Sequence, residues 1–409
     1  MTAEPLSQTA TAPNSVDFFL SPAAVRQRCT RIYERACEGH GHFAVHPEKL
    51  DQVAAFVIAV IEQNYPDKNV PYHSRWRHFE VGDHSQLQQF NQHCADLDPH
   101  SRAQLGLELI LPSVLVDAGA GGQWQYASGN RLTVGRSEGL ALASLDMFLS
   151  GGLSQRATPE CSADGLRAIS EARFAQYFKV SPSNPLLGVA GRVHLLRQLG
   201  EVIAAQPEIF PRQRLGDLLD FIIQQCGPKP NADQLLTVIL KVFADIWPGR
   251  LSLQGKNLGD TWHYAPLGEA EQGYVPFHKL SQWITYSVVE TLEKNAFPVS
   301  ELEQLTGLAE YRNGGLMLDS GLISLRDPAL AQHTWPPSSE VIIEWRALTV
   351  CLLDKVAACI RDQWQLSAND LPLVKVLEGG TWAAGRKLAQ QQRGDLSPPL
   401  NIASDGTVF

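Results

Sequence analysis

Apolar residues recur with helical spacing over most of the chain. Within residues 48–63, for example, Val53 and Val57 lie one turn apart on the same face, and Pro66 follows as a stop signal. Ser21 before Pro22 and Asn231 before Ala232 are typical helix starts. The same spacing predicts further helices near residues 22–38, 101–111, 138–149, 164–178, 188–205, 215–225, 232–246, 279–295, 340–363 and 373–392.

Strand patterns are few. Residues 123–134 alternate weakly between apolar and polar around the turn sequence SGN, and they predict a β-hairpin. Residues 316–325 predict a second hairpin that turns at a Ser-Gly pair. Strands and helices do not alternate repeatedly, so a doubly wound sheet is not expected. The predicted fold class is mainly α: a compact helical architecture with one or two small β-hairpins.

The chain shows no long linker, internal repeat or low-complexity block. Residues 1–15 lack the basic and apolar regions of a signal peptide, and we expect a flexible tail over residues 1–20. Residues 21–409 are interpreted as a single helical domain. A division into two lobes that meet near residue 230 stays open.

Composition excludes several classes of function. The net charge is −9 and no basic stripe is visible, so nucleic-acid binding is not expected. The longest apolar run, residues 53–61, is far shorter than the roughly 20 residues of a membrane-spanning helix. The seven cysteines are odd in number and form no CxxC motif, which favours reduced thiols. We therefore expect a cytoplasmic protein without nucleic-acid or membrane partners, and the sequence leaves its oligomeric state open.

Charged residues concentrate in segments that are otherwise apolar. Two examples are GLAEYRNGGLMLDSG at 307–321 and VIIEWRALTVCLLD at 341–354. Burying a carboxylate is unfavourable unless it has a partner or a function, so both segments are candidates for a site. A third cluster, LEGGTWAAGRKLA, begins at residue 377. The charged and amide residues of the first two segments are Glu310, Arg312, Asn313, Asp319, Glu344, Arg346 and Asp354.

Seven stretches carry a resemblance to a known family. They read SVLVDAGAG, RSEGLALASLD, VPFHKLSQWITYS, EYRNGGL, EWRALTVCLLD, LEGGTWAAGR and SDGTVF, and they span residues 112–409. With them the chain resembles the uracil-catabolism proteins that form the fourth component of the URC pathway. The resemblance implies an enzyme that releases urea from ribosylurea or its phosphate by N-glycosidic cleavage.

A shorter similarity concerns the queuosine-salvage nucleoside hydrolases. Those proteins have an Asp-Tyr-Arg stretch followed later by Glu-x-Arg in a helix. Here Glu310-Tyr311-Arg312 and Glu344-Trp345-Arg346 are similar, with Glu310 in place of the Asp. This similarity implies a helical, DNA-glycosylase-like fold.

Cleavage of a ribosyl C–N bond requires particular groups. Positive charge builds up on the ribose, and a buried carboxylate stabilises it or activates water. A poor leaving group such as urea needs a proton donor or hydrogen bonds. The expected catalytic residues are Glu310, Glu344 and Asp319. The expected substrate-binding residues are Asp117, Arg136, Glu138, His278, Trp283, Tyr286, Arg312, Asn313, Arg346, Trp382 and Arg386.

Structural roles compete with these assignments. Glu344 also suits a buried ion pair with an Arg, Glu310 suits a solvated loop, and the Asp-Ser-Gly at 319–321 suits a turn. Asp117 either caps the Gly-rich loop after it or holds a ribose hydroxyl. Trp283 and Tyr286 lie three residues apart on a helix face, which fits both core packing and the binding of a planar group.

Two other functions stay open as alternatives. The sequence GRSEG fits the G-x-S-x-G pattern between a strand and a helix, so a serine hydrolase of a ureide or amide would use Ser137. A non-catalytic scaffold of the pathway is the second alternative. No metal ligands are assigned, because the histidines at 40, 42 and 46 lack an HExxH pattern or a Cys partner, and the sequence leaves the presence of a metal open. No cofactor is expected, because the glycines after Asp117 do not form GxGxxG.

Overall fold

The computed structural model describes residues 14–82, 85–117, 119–128, 132–247, 249–394 and 396–403, and it is mainly α-helical, as predicted. The α-helices are Val16–Phe19 (α1), Pro22–Cys37 (α2), Leu50–Asn64 (α3), Arg75–Phe79 (α4), Ser85–His93 (α5), Pro99–Leu115 (α6), Arg136–Leu149 (α7), Ala163–Arg167 (α8), Glu171–Tyr177 (α9), Val189–Ala205 (α10), Leu218–Cys226 (α11), Ala232–Val242 (α12), Lys279–Lys294 (α13), Tyr311–Asp319 (α14), Glu340–Trp364 (α15), Leu373–Val376 (α16) and Trp382–Arg393 (α17). A π-helical turn, Leu377–Thr381, joins α16 to α17.

The strands are short and pair two by two. They are Phe43–Val45 (β1), Gln125–Ser128 (β2), Leu132–Gly135 (β3), Ser252–Leu253 (β4), Lys256–Asn257 (β5), Thr261–His263 (β6), Tyr274–Pro276 (β7), Ile323–Leu325 (β8), Thr334–Trp335 (β9) and Asn401–Ile402 (β10). β2–β3, β4–β5, β6–β7 and β1–β8 are antiparallel, and β9–β10 is parallel. Within the described residues no sheet has more than two strands.

Helix starts follow the capping signals of the sequence. The Ser21 side chain accepts a hydrogen bond from the Ala24 amide and starts α2. Asn231 and Gln234 form a capping box at the start of α12. Such caps satisfy amide donors that the first turn leaves without partners. Both predicted starts are thus confirmed.

One predicted hairpin is confirmed and one is wrong. β2 pairs with β3 as predicted, although the turn at 129–131 lies outside the described residues. The chain from Leu316 to Asp319 is instead the end of α14, and β8 pairs with the distant β1. A helix forms here in place of the predicted hairpin because Glu310 caps its start and because Leu316 and Met317 are fully buried on its apolar face.

Two compact units make up the chain. The first comprises the described residues of Ser74–Pro248 and Trp283–Ser300. Its centre is α6, which contacts α4, α7, α10 and α11 and is buried almost from end to end.

The second unit comprises the described residues of Thr9–His73, Gly249–Gln282 and Glu301–Phe409. Its centre is α15, which contacts α2, α3, α14 and α16. The chain divides within α13, whose residues up to Gln282 belong to this unit.

The predicted tail covers residues 1–20, and its first 13 residues lie outside the described part of the chain. Ser15 caps α1, and Phe18 and Phe19 of this helix are buried. None of the described helices combines the length and the apolar character needed to cross a membrane.

Candidate active site

Glu310 occupies the N-cap of α14 in the second unit. One carboxylate oxygen accepts the Arg312 amide at 2.7 Å, and the other accepts the Asn313 amide at 2.6 Å. Burial raises the pKa of Glu310, while these two hydrogen bonds and the charges of Lys279 and His73 act in the opposite direction. A buried carboxyl group with a raised pKa takes up a proton more readily than an exposed carboxyl group does.

A buried ion pair holds the segment before Glu310. Arg346 donates to both oxygens of Asp260 at 2.8 and 2.7 Å. Its Nε donates to the carbonyl of Ala309, the residue before Glu310. Asp260 also accepts the Lys279 amide at 3.1 Å, so it ties the start of α13 to the same network. The Arg346 side chain is 1% exposed and that of Asp260 is 13% exposed, so the pair is largely buried.

Arg312 and Asn313 bring unmatched polar atoms to the start of α14. Arg312 Nη1 donates to the Leu396 carbonyl at 2.9 Å, but its Nε has no hydrogen-bond partner within the described residues. Asn313 is fully buried, and its Oδ1 likewise lacks a partner among the residues described. Buried polar atoms are nearly always hydrogen-bonded to protein or water, so a ligand or a water at this site would complete them.

His73 and Glu378 form a pair that the expected site residues did not include. His73 Nδ1 lies 2.7 Å from Glu378 Oε2, and the Tyr65 hydroxyl donates to Glu378 Oε1 at 3.3 Å. Glu378 belongs to the π-helical turn, a distortion frequent at functional sites. The LEGG sequence around Glu378 was a sequence signal for a site residue at this position. His73 lies 305 positions away along the chain, and no local sequence pattern marked it.

Glycines allow close approach of the helices around this pair. A methyl group at Gly379 or Gly380 would press against Val57, Ile61 and Val70, beside α3. A methyl group at Gly385 of α17 would overlap the backbone carbonyl of Arg312. The π-helical turn and α17 therefore lie directly against α3 and α14.

Among the residues that the structure describes, Glu344 is held by backbone amides and a Tyr hydroxyl and not by an Arg. Its carboxylate accepts the His42 and Phe43 amides at 2.9 to 3.0 Å and the Tyr264 hydroxyl at 3.3 Å. Burial raises its pKa, and the two amides act against that shift. The nearby Arg346 does not form the buried ion pair that Glu344 also suited, because positions two apart on a helix face in different directions and Arg346 pairs with Asp260. We expect Glu344 to anchor the loop at 41–43.

The variant Glu344→Gln tests this anchoring role. The new amide group would point N–H donors at the backbone donor of His42, and an unsatisfied buried donor costs about 1–3 kcal/mol. We expect a lower melting temperature and an unchanged kcat for the folded fraction. Thermal melting beside steady-state kinetics measures both, and a large fall in kcat at an unchanged melting temperature would instead place Glu344 in the chemistry.

The other expected residues of the second unit lie in separate surroundings. Asp319 ends α14, about 12 Å along the helix from its start, and forms two hydrogen bonds with Arg393 at 2.8 and 2.5 Å. His278 is buried, and its Nε2 lies 2.7 Å from the Phe19 carbonyl. Burial lowers its pKa. Arg386 stands over the Trp382 ring at 5.7 Å on half-buried positions of α17.

The first unit holds its own buried cation. Arg75, fully buried, forms an ion pair with Asp117 at 3.1 Å and donates to Ser113 Oγ at 2.7 Å. Its guanidinium lies 5.7 Å from the centre of the Trp283 ring. Burial lowers the pKa of Arg75, and the charges of Asp117 and Glu138 counter that effect. Three expected substrate-binding residues are thus gathered around an Arg that the expectation did not include.

The two remaining expected residues of this unit differ in exposure. Arg136 is exposed at the start of α7, where its φ is +54°, while Tyr286 is 1% exposed on α13. The aromatic ring of Tyr286 is therefore part of the core. A cavity of about 120 Å³ also lies in this unit, lined by Gln206, Ile209, Phe221, Gln225, Val238, Lys241 and Val242. It contains none of the expected residues.

Ser137 follows a strand and begins a helix, as the serine-hydrolase alternative requires. The sheet beside it is the two-stranded β2–β3 pair, and parallel strands of an α/β-hydrolase core are absent from the described residues. Gly135, not Ser137, takes the N-cap of α7. The Ser137 carbonyl accepts a hydrogen bond from Arg75 at 3.2 Å.

Comparisons with known proteins place the chain among relatives of nearly equal length. The family model described as "Protein of unknown function (DUF1688)" matches residues 18–409. Protein urg3 of Schizosaccharomyces pombe is 37% identical over 403 residues, which cover 95% of this chain and 98% of that protein. Uracil catabolism protein 4 of Lachancea kluyveri is 34% identical over 445 aligned positions, which cover 98% and 100%.

Proposed function

The chain belongs to the DUF1688 family, and from that premise we propose that it acts in uracil catabolism, as the name of its Lachancea kluyveri relative states for that protein. The proposed reaction is hydrolysis of an N-ribosyl bond. Ribosylurea or its 5-phosphate is the substrate, and urea leaves as one product.

One observation carries the choice of reaction. Glu310 is a buried carboxyl group with a raised pKa, and beside it Asn313 Oδ1 and Arg312 Nε lack partners within the described part of the chain. Each Glu310 oxygen accepts one amide, which leaves lone pairs for a ligand. In contrast, both oxygens of Asp319 accept hydrogen bonds from the Arg393 guanidinium. The oxygens of Glu344 accept the backbone amides of His42 and Phe43.

The chemistry follows from these groups. As the C–N bond breaks, positive charge spreads over the ribose carbon and ring oxygen, and the Glu310 carboxylate stabilises it. A water molecule then adds to that carbon and gives its proton to Glu310. Asn313 Oδ1 accepts a hydrogen bond from a ribose hydroxyl or from the urea amide. Hydrolysis yields ribose, or its 5-phosphate, and intact urea.

The proposal is tested by incubating the purified protein with ribosylurea, ribosylurea 5-phosphate, uridine and UMP. Mass spectrometry follows free urea, uracil and ribose products over time. We expect urea from at least one form of ribosylurea, at a rate proportional to enzyme concentration. Binding of these compounds without any cleavage would contradict hydrolysis and favour the pathway scaffold.

A further inference from the structure

The pair of His73 and Glu378 lies in the same unit as Glu310, and the proposed mechanism has not used it. The two side chains are 11% and 17% exposed, and their 2.7 Å separation is that of a charge-assisted hydrogen bond. The His73 amide also donates to the Val374 carbonyl, which fixes its backbone against α16. Both side chains are therefore held in place yet partly accessible.

The local fold brings this pair to the start of α14. The π-helical turn that carries Glu378 contacts both α3 and α14. Gly385, one turn further, rests against the Arg312 carbonyl. The charge of His73 also acts on the Glu310 carboxyl group. The His73 imidazole and the Glu310 carboxyl group thus belong to one cluster of the second unit.

We propose that His73, oriented by Glu378, donates the proton to the nitrogen of the leaving group, an inference that rests on the proposed hydrolysis. Glu378 accepts a hydrogen bond from Nδ1–H, and in the imidazolium form of the ring Nε2–H is the proton that is donated. As the ribosyl C–N bond breaks, its electron pair goes to the urea nitrogen, which takes the Nε2 proton. Water supplies the new hydroxyl group, and the proton that Glu310 receives from it returns through solvent to His73.

This arrangement divides the work between two ends of the scissile bond. Glu310 serves the ribose, whereas His73 serves the departing nitrogen and Glu378 is a positioning residue. Urea leaves poorly without a proton, but a nitrophenolate ion leaves without one. A riboside with that leaving group therefore needs Glu310 and does not need His73.

The test compares His73→Gln and Glu378→Gln with Glu310→Gln on ribosylurea and on 4-nitrophenyl β-ribofuranoside. We expect the first two variants to lose about 10²- to 10⁴-fold in kcat on ribosylurea. On the nitrophenyl riboside they keep at least a third of the wild-type rate, which also shows that they fold. Glu310→Gln loses activity on both compounds. If His73→Gln does not fold, Glu378→Gln gives the same comparison.

Several results would overturn the assignment. Equal losses of the His73 and Glu378 variants on both compounds would mean a structural role, and unchanged rates on ribosylurea would remove the pair from the reaction. If wild type does not cleave the nitrophenyl riboside, the ribosylurea kinetics decide, and a raised KM at unchanged kcat contradicts proton donation. Wild type that leaves ribosylurea and its 5-phosphate intact contradicts the proposed function itself, which is a separate outcome.

Discussion

Glu310→Gln lowers kcat for ribosylurea by about 10²- to 10⁴-fold and leaves KM within a few-fold of wild type. The carboxylate interacts with a positive charge that exists only as the C–N bond breaks, so its loss raises the transition state more than the bound ground state. Gln keeps the length of the side chain and one amide-accepting oxygen at the start of α14. Steady-state kinetics of both proteins at equal folded concentration measure the effect.

The capping role of Glu310 requires a matched control. Ser21→Ala removes a side-chain cap from α2, in the same unit, and loss of such a cap costs about 1 kcal/mol. This control should lower the melting temperature slightly and keep kcat. Glu310→Asp retains a charged cap but shortens it by one methylene. A Glu310→Gln protein with normal kcat and a lowered melting temperature would reduce the residue to a cap.

Asp260→Asn destabilises the protein by about 3–5 kcal/mol, because it leaves the buried Arg346 guanidinium without its counter-charge. Arg346 is 1% exposed, and its Nη1 and Nη2 both donate hydrogen bonds to this carboxylate. Trp262 Nε1 and the Lys279 amide donate to Asp260 as well. Urea denaturation at neutral pH, followed by circular dichroism, measures the free energy of unfolding of both proteins.

The pH dependence of this difference gives a second measurement. Burial alone would raise the pKa of Asp260, but the charge and hydrogen bonds of Arg346 outweigh it, so the pKa lies below its usual value. The carboxylate therefore stabilises the fold above about pH 4 and ceases to do so as pH falls through the lowered pKa. We expect the gap between wild type and Asp260→Asn to be constant near pH 7 and to shrink in acid.

An exposed ion pair is the matched control for that variant. Arg167 and Glu201 lie 3.1 Å apart, with side chains about half exposed. Glu201→Gln makes the same kind of charge change and should alter stability by less than about 1 kcal/mol. An equally small effect of Asp260→Asn would contradict the role of the buried pair in fixing Ala309 and Glu310.

Helices were predictable from sequence wherever the apolar period was long. α3 and α15 appear close to their expected bounds because many apolar residues support them and few other structures fit the pattern. The nine-residue helix α14 was not predicted, because its sequence contains Gly-Gly and Asp-Ser-Gly, which are turn signals. The buried cap of Glu310 outweighs them, and a sequence does not show that its side chain will be buried.

The candidate site was predictable only in part, because its contacts are distant along the chain. The sequence led to Glu310, Arg312 and Asn313 through their unusual polarity inside an apolar segment. It did not indicate the partner of Arg346, since Asp260 lies 86 positions away. His73 stayed hidden for the same reason, because local patterns contain no information on a hydrogen bond that spans 305 positions.

The central claim is that the N-ribosyl bond breaks while the urea group stays whole. Ribosylurea labelled with ¹³C at the urea carbon tests it directly, with the reaction followed by ¹³C NMR in the presence of the purified protein. We predict that the label appears in free urea at the rate at which ribose is formed, and that Glu310→Gln lowers both rates together by about 10²- to 10⁴-fold. Label in bicarbonate with release of ammonia would mean that the ureide bond is cleaved, and it would contradict N-glycosidic hydrolysis.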